Sequence, residues 1–387
     1  MYIMVSASSV YIHVPFCKTR CFYCDFNTFA GKERLMPDYV SALCDEIRRQ
    51  KVFAAEPVHS IYFGGGTPSR LEVTDVGMIM DAVRETFELT ADAEITFECN
   101  PCDVTAEYTR GLADLGINRI SLGMQSAILE ELKRMGRRHT PEQVVEAVET
   151  LRNAGLQNIS LDLIYGYPGQ TAENWEKSVR AAIGLGVQHV SLYALSVEEG
   201  SALRRQLEAG KLALPDEDLT VAMYDLASET LAAHGFRHYE ISNWVVDKAH
   251  ESRHNKQYWF VRPYYGFGAG AHGWIDHQRI RNLGDIGAYI RAVNASDSRF
   301  PAAAEIIPQD RRTEMQDVMM LGLRMLHEGI TEERFRERFG EEMREVFHRE
   351  LRHLERKNLI YWAPDGRLLL APDKVMVANQ AFIEFVD

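Results

Sequence analysis

Six short runs of β-branched and aromatic residues alternate with amphipathic stretches through the first half of the chain, and this alternation constrains the fold most. The predicted strands cover residues 10–14, 58–63, 94–98, 118–122, 158–164 and 188–193. Because a helical stretch follows each strand, the strands are expected to run parallel, with the helices as crossover connections. We therefore predict an α/β fold built on a partial, open (β/α)6 barrel of the TIM type, with a doubly wound sheet as the alternative.

The helix between the fourth and fifth predicted strands has the clearest end signals. Thr140 supplies a capping hydroxyl, Pro141 occupies the first helical position, and Gly155 lies just past the end. Its apolar residues follow the helical period and are Val144, Val145, Val148 and Leu151.

The pattern changes after about residue 200. Helical stretches near 201–209 and 216–234 lead into a segment rich in Gly, Tyr and Trp that extends to about residue 282. The pattern becomes helical again from Ile306 and ends in two β-like runs around a Pro-Asp-Gly turn. We predict a barrel at 1–235, a connecting segment at 236–300 and a small helical, winged-helix-like domain at 301–387.

Composition and charge exclude several classes of protein. The 387 residues are 46% hydrophobic and 26% charged, which is typical of a folded chain. The 43 Lys and Arg against 56 Asp and Glu leave a net charge of −13, which argues against nucleic acid as a partner. No apolar run approaches the ~18–20 residues of a membrane span. The N-terminal sequence lacks the features of a signal peptide, so we predict a cytoplasmic protein.

Three of the six cysteines lie on one short loop directly after the first predicted strand, with the spacing C-x3-C-x2-C. In a reducing compartment Cys17, Cys21 and Cys24 indicate a metal site rather than disulfides. Three thiolates can hold three irons of a [4Fe–4S] cluster and leave the fourth iron open. A zinc site is the alternative, but it normally takes four protein ligands, and no fourth lies nearby.

Other chemistry-bearing residues follow the remaining predicted strands. The segment FGGGTPS at 63–69 follows the second strand and is neither a P-loop nor a dinucleotide fingerprint. Glu98, Gln125, Asp162 and Ala194 lie at or just beyond the ends of later strands. Because the carboxyl ends of the strands carry the active site in barrel folds, we predict that these residues and the cysteine loop form one site.

The cysteine loop followed by GGGTP in a chain of six β/α units resembles the radical S-adenosylmethionine (SAM) superfamily. Further motifs are similar to the HemN/HemW subfamily, and most similar to its heme-chaperone branch: YIHVPFC, FECNP, GMQS, LDLIYGYPGQ, YEISNW, HNKQYW and GFGAGAHG. The resemblance covers essentially the whole chain. It implies the radical SAM type of barrel with a [4Fe–4S] cluster and SAM as cofactors.

The resemblance also implies roles for individual residues. Cys17, Cys21 and Cys24 would bind the cluster, and SAM would fill the open iron site. The residues implied in binding SAM, a second SAM or a substrate are Tyr11, Tyr23, Gly65, Gly66, Thr67, Glu98, Gln125, Arg137, Asp162 and Ala194. The two glycines would let the methionyl end approach the backbone. For the charged residues of this set, ordinary salt bridging at the top of the barrel is the alternative.

The segment HNKQYW at residues 254–259 marks the heme-chaperone branch. The resemblance implies that His254 ligates heme iron while Tyr258 and Trp259 pack on the porphyrin face. The alternative is a hydrogen-bonded histidine beside two core aromatics. His272, in GFGAGAHG, is either a second iron ligand or part of a tight turn, and we favour the turn.

The remaining cysteines receive no cofactor role. Cys99 and Cys102 form a C-x2-C pair and are interpreted as incidental thiols near the site. Cys44 is interpreted as a small hydrophobe in the first crossover helix.

Together these features predict a heme chaperone that binds heme and delivers it to an acceptor protein. A membrane-associated acceptor and a homodimer remain open. The alternatives are an oxygen-independent coproporphyrinogen III oxidase and a HemN-like radical SAM methyltransferase. The oxidase branch carries a fourth cysteine where this chain has Phe26, so oxidase activity is not expected.

Overall fold

A nine-stranded sheet forms the centre of the computed structural model, which describes residues 9–386. Residues 1–8, part of the segment in which no signal peptide was predicted, lie outside the described residues. The strands of this sheet are β1 (Ser9–Val14), β2 (Val58–Gly65), β3 (Leu89–Cys99), β4 (Arg119–Gln125), β5 (Asn158–Tyr165), β6 (His189–Ala194), β7 (Arg237–Glu240), β8 (Asn243–Val245) and β9 (Tyr265–Phe267). Each of the six predicted strands is therefore confirmed.

The strand order is β9-β1-β2-β3-β4-β5-β6-β8-β7. Strands β1 to β6 pair parallel in chain order, β9 joins β1 in parallel, and β8 and β7 extend the other edge antiparallel. This sequential order excludes the doubly wound alternative, in which the order reverses at a switch point. Strands β9 and β7, at the two edges, do not pair with each other, so the described sheet is a partial, open barrel as predicted.

Crossover helices cover the outer face of the sheet. The helices of this part of the chain are α1 (Met36–Arg48), α2 (Val73–Thr86), α3 (Ala106–Asp114), α4 (Leu129–Met135), α5 (Pro141–Asn153), α6 (Ala172–Gly184), α7 (Ala202–Glu208), α8 (Glu217–Ala233), α9 (Arg253–Trp259) and α10 (Ile286–Ala295). Helix α9 differs from the crossover helices, because its His254 ring stacks on Tyr62 on the inner side of the sheet. Thr140 and Gln143 form a reciprocal capping box at the start of α5, as its end signals predict. Cys44 is buried in α1 as a core residue, which confirms that interpretation.

Side chains alternate along the parallel strands between the helix-covered face and the interior. In β4, Ile120 and Leu122 are fully buried in the apolar core, whereas Ser121 lines the interior. The same alternation places Tyr62, Glu98 and Asp162 inside the barrel. The interior is therefore polar and lines a cavity rather than a packed core.

A smaller antiparallel sheet lies beside β9 and consists of β10 (His272–Ile275), β11 (Gln278–Asn282) and β12 (Ala303–Pro308). Two sequence-based expectations are wrong here. Ile306 lies in an exposed strand, β12, rather than at the start of a helix. His272 is the first residue of β10 rather than part of a turn, because the turn lies before it and includes Gly268 and Gly270, which have positive φ.

The C-terminal region has its own apolar core. Its elements are α11 (Arg311–Gly322), β13 (Ile330–Thr331), α12 (Glu332–Phe339), α13 (Met343–Val346), α14 (His348–Arg356), β14 (Ile360–Trp362), β15 (Arg367–Leu370) and α15 (Asn379–Phe382). Strands β14 and β15 form the predicted hairpin, and the order β13-β15-β14 completes a three-stranded sheet against the helices. The domain boundaries at 235 and 300 remain predictions, since β7 to β9 belong to the large sheet. Among residues 9–386 there is no helix with the length and apolarity needed to cross a bilayer.

A buried carboxylate joins α1 to the segment that follows β9. Glu46 accepts hydrogen bonds from Gly268 N (2.9 Å), Asn282 Nδ2 (2.7 Å) and the Tyr289 hydroxyl (2.6 Å). The three donors come from a turn, from β11 and from α10, so one side chain holds three elements against the barrel.

Replacing Glu46 with alanine would leave the buried Gly268 N–H and Tyr289 hydroxyl unpaired and remove one of the two hydrogen bonds of Asn282 Nδ2, so we expect the free energy of unfolding to fall by about 3 kcal/mol. Asp45 is the matched control, because this neighbouring carboxylate is exposed and lies 3.8 Å from Arg48. Urea unfolding of Glu46→Ala and Asp45→Ala measures the free energy of unfolding of each variant. Equal stabilities of the two variants would contradict this role for Glu46.

Candidate cofactor-binding site

A cavity of about 360 Å³ opens at the carboxyl ends of the parallel strands. It brings together all of the predicted site residues except two: Cys17, Cys21, Tyr23, Cys24, Gly65, Gly66, Thr67, Glu98, Gln125, Arg137, Asp162 and Ala194. Tyr11 and His254 do not line it. The six segments predicted to meet at the strand ends therefore line one cavity, and Arg137, implied by the resemblance, joins them.

The three cysteines lie on the loop that follows β1. Cys17 Sγ lies 3.2 Å from Thr67 Oγ1 and accepts a hydrogen bond from Thr28 Oγ1 at 2.7 Å. Arg137 Nη1 donates to Cys21 Sγ at 3.6 Å. Burial raises the pKa of Cys24 to about 11, so this thiol ionises at neutral pH only when a metal replaces its proton.

The thiols fit a cluster better than a single metal ion. Among residues 9–386 there is no group of three His, Cys, Asp or Glu side chains positioned to hold one ion. A [4Fe–4S] cluster does not need such convergence, because each thiolate binds a different iron. The donor set of three cysteines at one end of the cavity therefore fits the cluster that the spacing indicates.

The glycine-rich segment is required first by the packing of the protein itself. Gly65 has φ +114°, and a Cβ atom there would lie 2.7 Å from the His13 ring. A Cβ on Gly66 would lie 2.7 Å from Thr28 Oγ1 and 2.9 Å from the Phe16 carbonyl. A larger residue at either position would therefore displace the segments that flank the cysteine loop as well as obstruct a ligand.

Two carboxylates line the inner part of the cavity. Glu98 accepts a hydrogen bond from the Tyr62 hydroxyl at 2.7 Å, and burial, together with the charge of Asp162, raises its pKa to about 7. Asp162 accepts from Ser121 Oγ at 2.9 Å, and burial raises its pKa as well. Arg119 attracts both carboxylates, is only 2% exposed, and has an Nε with no hydrogen-bond partner.

Gln125 and Arg137 present unpaired polar atoms to the cavity. Gln125 has φ +63°, a conformation that is uncommon for a residue with a side chain, and its Oε1 is buried without a hydrogen-bond partner. Arg137 donates from Nη2 to the Gly123 carbonyl at 2.8 Å, while its Nε is unpaired. Buried polar groups are normally paired, so these atoms indicate a ligand that completes the site. Both residues fit the predicted SAM or substrate contacts.

Three further predicted site residues lie around these polar groups. Tyr23 and Ala194 line the cavity, whereas Tyr11 does not. Tyr23 packs edge-on against Tyr167 with ring centroids 6.5 Å apart, and burial raises its pKa. Ala194 is exposed at the end of β6. Tyr11 lies behind the cavity wall, where its hydroxyl is 3.0 Å from His13 Nδ1 and its ring stacks on Tyr62.

His254 lies inside the protein on α9 rather than at a cavity. Its Nδ1 is 3.1 Å from Ser60 Oγ and its Nε2 is 2.8 Å from the Tyr258 hydroxyl. Its ring stacks on Tyr62 at a centroid distance of 5.1 Å, and burial lowers its pKa to about 3. Neither ring nitrogen is free, so ligation of heme iron by His254 would require one of these hydrogen bonds to open.

Sequence reasoning missed several polar residues inside the barrel, chiefly Arg119, Tyr62 and Ser121. The available signal was the alternation of polar and apolar residues within each strand. In β4 the polar residues Arg119 and Ser121 alternate with Ile120 and Leu122. In β5 the polar residues Ser160 and Asp162 alternate with Leu161 and Leu163 in the same way. The strand ends therefore indicated much of the cavity lining, including Glu98 and Asp162, but not the polar residues further back in the strands.

Comparison with known proteins agrees with this arrangement. Residues 11–182 match the Radical SAM superfamily, and residues 309–366 match the HemN C-terminal domain. The heme chaperone HemW of Bacillus subtilis is 34% identical over 98% of this chain and 99% of its own length. HemW of Lactococcus lactis is 36% identical over 98% of this chain and 97% of its own length.

A solved structure has the same fold over nearly the whole chain. Coproporphyrinogen III oxidase (HemN) from Escherichia coli, a radical SAM enzyme, matches 98% of this chain and 90% of its own with a TM-score of 0.85. At 20% identity this similarity shows the fold alone. The fold and the site thus define a radical SAM protein. More narrowly, the chain belongs to the HemW family, and its superfamily implies a [4Fe–4S] cluster and SAM as cofactors.

Replacing Cys17, Cys21 or Cys24 with alanine removes one of three thiolate ligands, so we expect the iron and sulfide content of the reconstituted protein to collapse. The controls are Cys44→Ala and Cys102→Ala, which remove thiols that do not line the cavity. Iron analysis after anaerobic reconstitution gives the result. Similar losses in both sets would show that the cluster is held elsewhere.

Glu98 carries a negative charge mainly above its pKa of about 7, so a cationic ligand such as SAM should bind more tightly as the pH rises. We expect the affinity to rise between pH ~6 and ~8, by at most about tenfold per pH unit, because binding favours the ionised carboxylate. Glu98→Gln should flatten this dependence in calorimetric titrations. Glu198→Gln, at the edge of the same cavity, should retain it. An unchanged slope in Glu98→Gln would exclude this role.

The stability of the ligand-free protein should depend on pH in the opposite direction to the affinity for SAM. A carboxyl with a raised pKa keeps its proton longer in the folded state than in the unfolded state. Its contribution to stability therefore falls as the pH rises from about 4.5, the ordinary value, toward about 7.

Proposed function

We propose that this protein is a heme chaperone, which binds heme and passes it to an acceptor protein in the cytoplasm or at a membrane. The observation that carries the proposal is similarity over almost the full length to proteins named heme chaperone HemW, at 34% and 36% identity. The similarity includes the C-terminal region and the connecting segment, not the barrel alone.

The barrel would serve this function as a regulatory or catalytic site. When bound, SAM and a reduced cluster supply a 5′-deoxyadenosyl radical. The residues of this chain would hold the cluster through three cysteines and orient SAM with Glu98, Gln125 and Arg137. The buried, polar interior would exclude bulk water from that region.

Oxidation of coproporphyrinogen III is the principal alternative, since an enzyme with that activity shares the fold. Phe26 occupies the position of the oxidase branch's fourth cysteine and is 63% exposed on the cysteine loop. An apolar side chain there supplies no ligand or proton donor. This difference favours the chaperone.

We expect purified protein with a reconstituted cluster to bind hemin stoichiometrically in an absorption titration. We also expect its rate of heme release to apomyoglobin, used as a probe acceptor, to depend on SAM. A parallel anaerobic assay with coproporphyrinogen III, SAM and a reductant should give no protoporphyrinogen. Its formation on the scale of the enzyme or above, or absence of hemin binding, would contradict the proposed function.

A further inference from the structure

A second cavity, of about 350 Å³, lies between α9, the β10–β11 hairpin and α11. The residues that give it chemical character are Tyr258, Arg262, Tyr264, His272, Trp274 and Arg279. None of the barrel residues predicted to bind the cluster or SAM lines it. It therefore forms a separate site, built from the connecting segment and the first C-terminal helix.

The charge at this cavity favours an anion, although the chain as a whole is acidic. Arg262 lies 5.4 Å from the centroid of the Phe260 ring but donates no hydrogen bond to any residue in 9–386. Arg279 Nη2 contacts both carboxylate oxygens of Asp317, at 2.7 and 2.5 Å, and its other nitrogens donate to no described residue. The cavity therefore holds two guanidinium groups and only one carboxylate, and the excess positive charge can pair with a carboxylate of a ligand.

The walls of the cavity are aromatic. The rings of Tyr258 and Tyr264 meet edge-on with centroids 4.6 Å apart. Trp274 is 7% exposed, and its Nε1 is buried with no hydrogen-bond partner among the described residues. A buried indole N–H without a partner is unusual and indicates an acceptor that completes the site. Aromatic walls suit a flat, apolar ring system.

His272 supplies a nitrogen that can bind a metal. It is exposed at the start of β10, and no residue in 9–386 forms a hydrogen bond with its ring. Partial burial and the nearby Arg281 lower its pKa, which keeps the imidazole neutral near pH 7. A neutral imidazole without a partner is the form that coordinates heme iron.

We propose that this second cavity binds heme, with His272 as an iron ligand, Arg262 and Arg279 as partners of the two propionates, and the aromatic walls against the macrocycle. The proposal rests on the proposed function, because heme is identified there as the cargo. It adds where in this chain the heme binds.

The position of His254 follows from the same geometry. Its Nε2 holds the Tyr258 hydroxyl at 2.8 Å, and Tyr258 forms part of the cavity wall. His254 is therefore a positioning residue that fixes an aromatic wall. It affects heme through Tyr258 and does not bind the iron.

The experiment compares hemin with metal-free protoporphyrin IX on the full-length protein with a reconstituted cluster. We expect His272→Ala to shift the Soret maximum and to weaken hemin binding about tenfold or more, while binding of metal-free protoporphyrin stays near that of the parent. Arg262→Ala should weaken the binding of both ligands, because both carry the propionates. His254→Ala should weaken hemin binding without moving the Soret maximum.

Two matched controls accompany these variants. Arg180 pairs with Glu176 at 2.8 Å on the surface of α6 and does not line the cavity, so Arg180→Ala should bind both ligands as the parent does. His234→Ala removes another exposed histidine, at the end of α8, and should leave the spectrum unchanged. Circular dichroism confirms that each variant is folded, and Arg262→Ala breaks no ion pair in the described residues.

The outcomes separate this proposal from the proposed function. If the parent binds hemin and His272→Ala keeps both its affinity and its spectrum, the site is overturned while the chaperone function stands. A Soret shift in His254→Ala but not in His272→Ala also overturns it. A parent protein that binds no hemin would overturn both.

Discussion

Arg119 lies buried in the barrel on β4, and its positive charge acts on the carboxylates of both neighbouring strands, Glu98 on β3 and Asp162 on β5. A charge removed from water costs several kcal/mol unless opposite charges compensate it, so the buried guanidinium and the two carboxylates require a shared polar interior. The strands therefore turn their polar sides inward and their apolar sides toward the helices. An interior of this kind does not collapse into an apolar core, and the cavity for cofactors is the consequence.

The elements that could be predicted from the sequence are those whose signals are local. Strand β5 and helix α5 follow from residue periodicity and end signals that lie within the elements themselves. The site rim also follows, because the carboxyl ends of parallel strands meet at one edge whatever the details of packing. Arg119 was missed for a different reason. The carboxylates on which its charge acts lie on other strands, and an arginine within a strand has the same local pattern whether it faces solvent or an interior.

Contacts between distant parts of the chain account for the errors. Strand β12 contains Ile306, which is 45% exposed, and its backbone pairs with β11 across the intervening helix α10. An exposed edge strand has no apolar period that distinguishes it from the start of a helix. His272 was expected in a turn because glycines precede it, yet its strand is set by pairing with Arg281. Such pairings are tertiary choices that local propensity does not determine.

The cysteine loop and the connecting segment are held together by one side chain. Asn27, three residues after Cys24, donates from Nδ2 to the carbonyls of Ala269 and Gly284, both at 2.9 Å. A Cβ on Gly270 would lie 2.4 Å from that same amide nitrogen, so the glycine is needed for this contact. The segment that follows Ala269 leads directly into β10 and His272. The Asn27 side chain therefore fixes the backbone that leads into His272 relative to the cysteine loop, so the walls of the two cavities are built from connected segments.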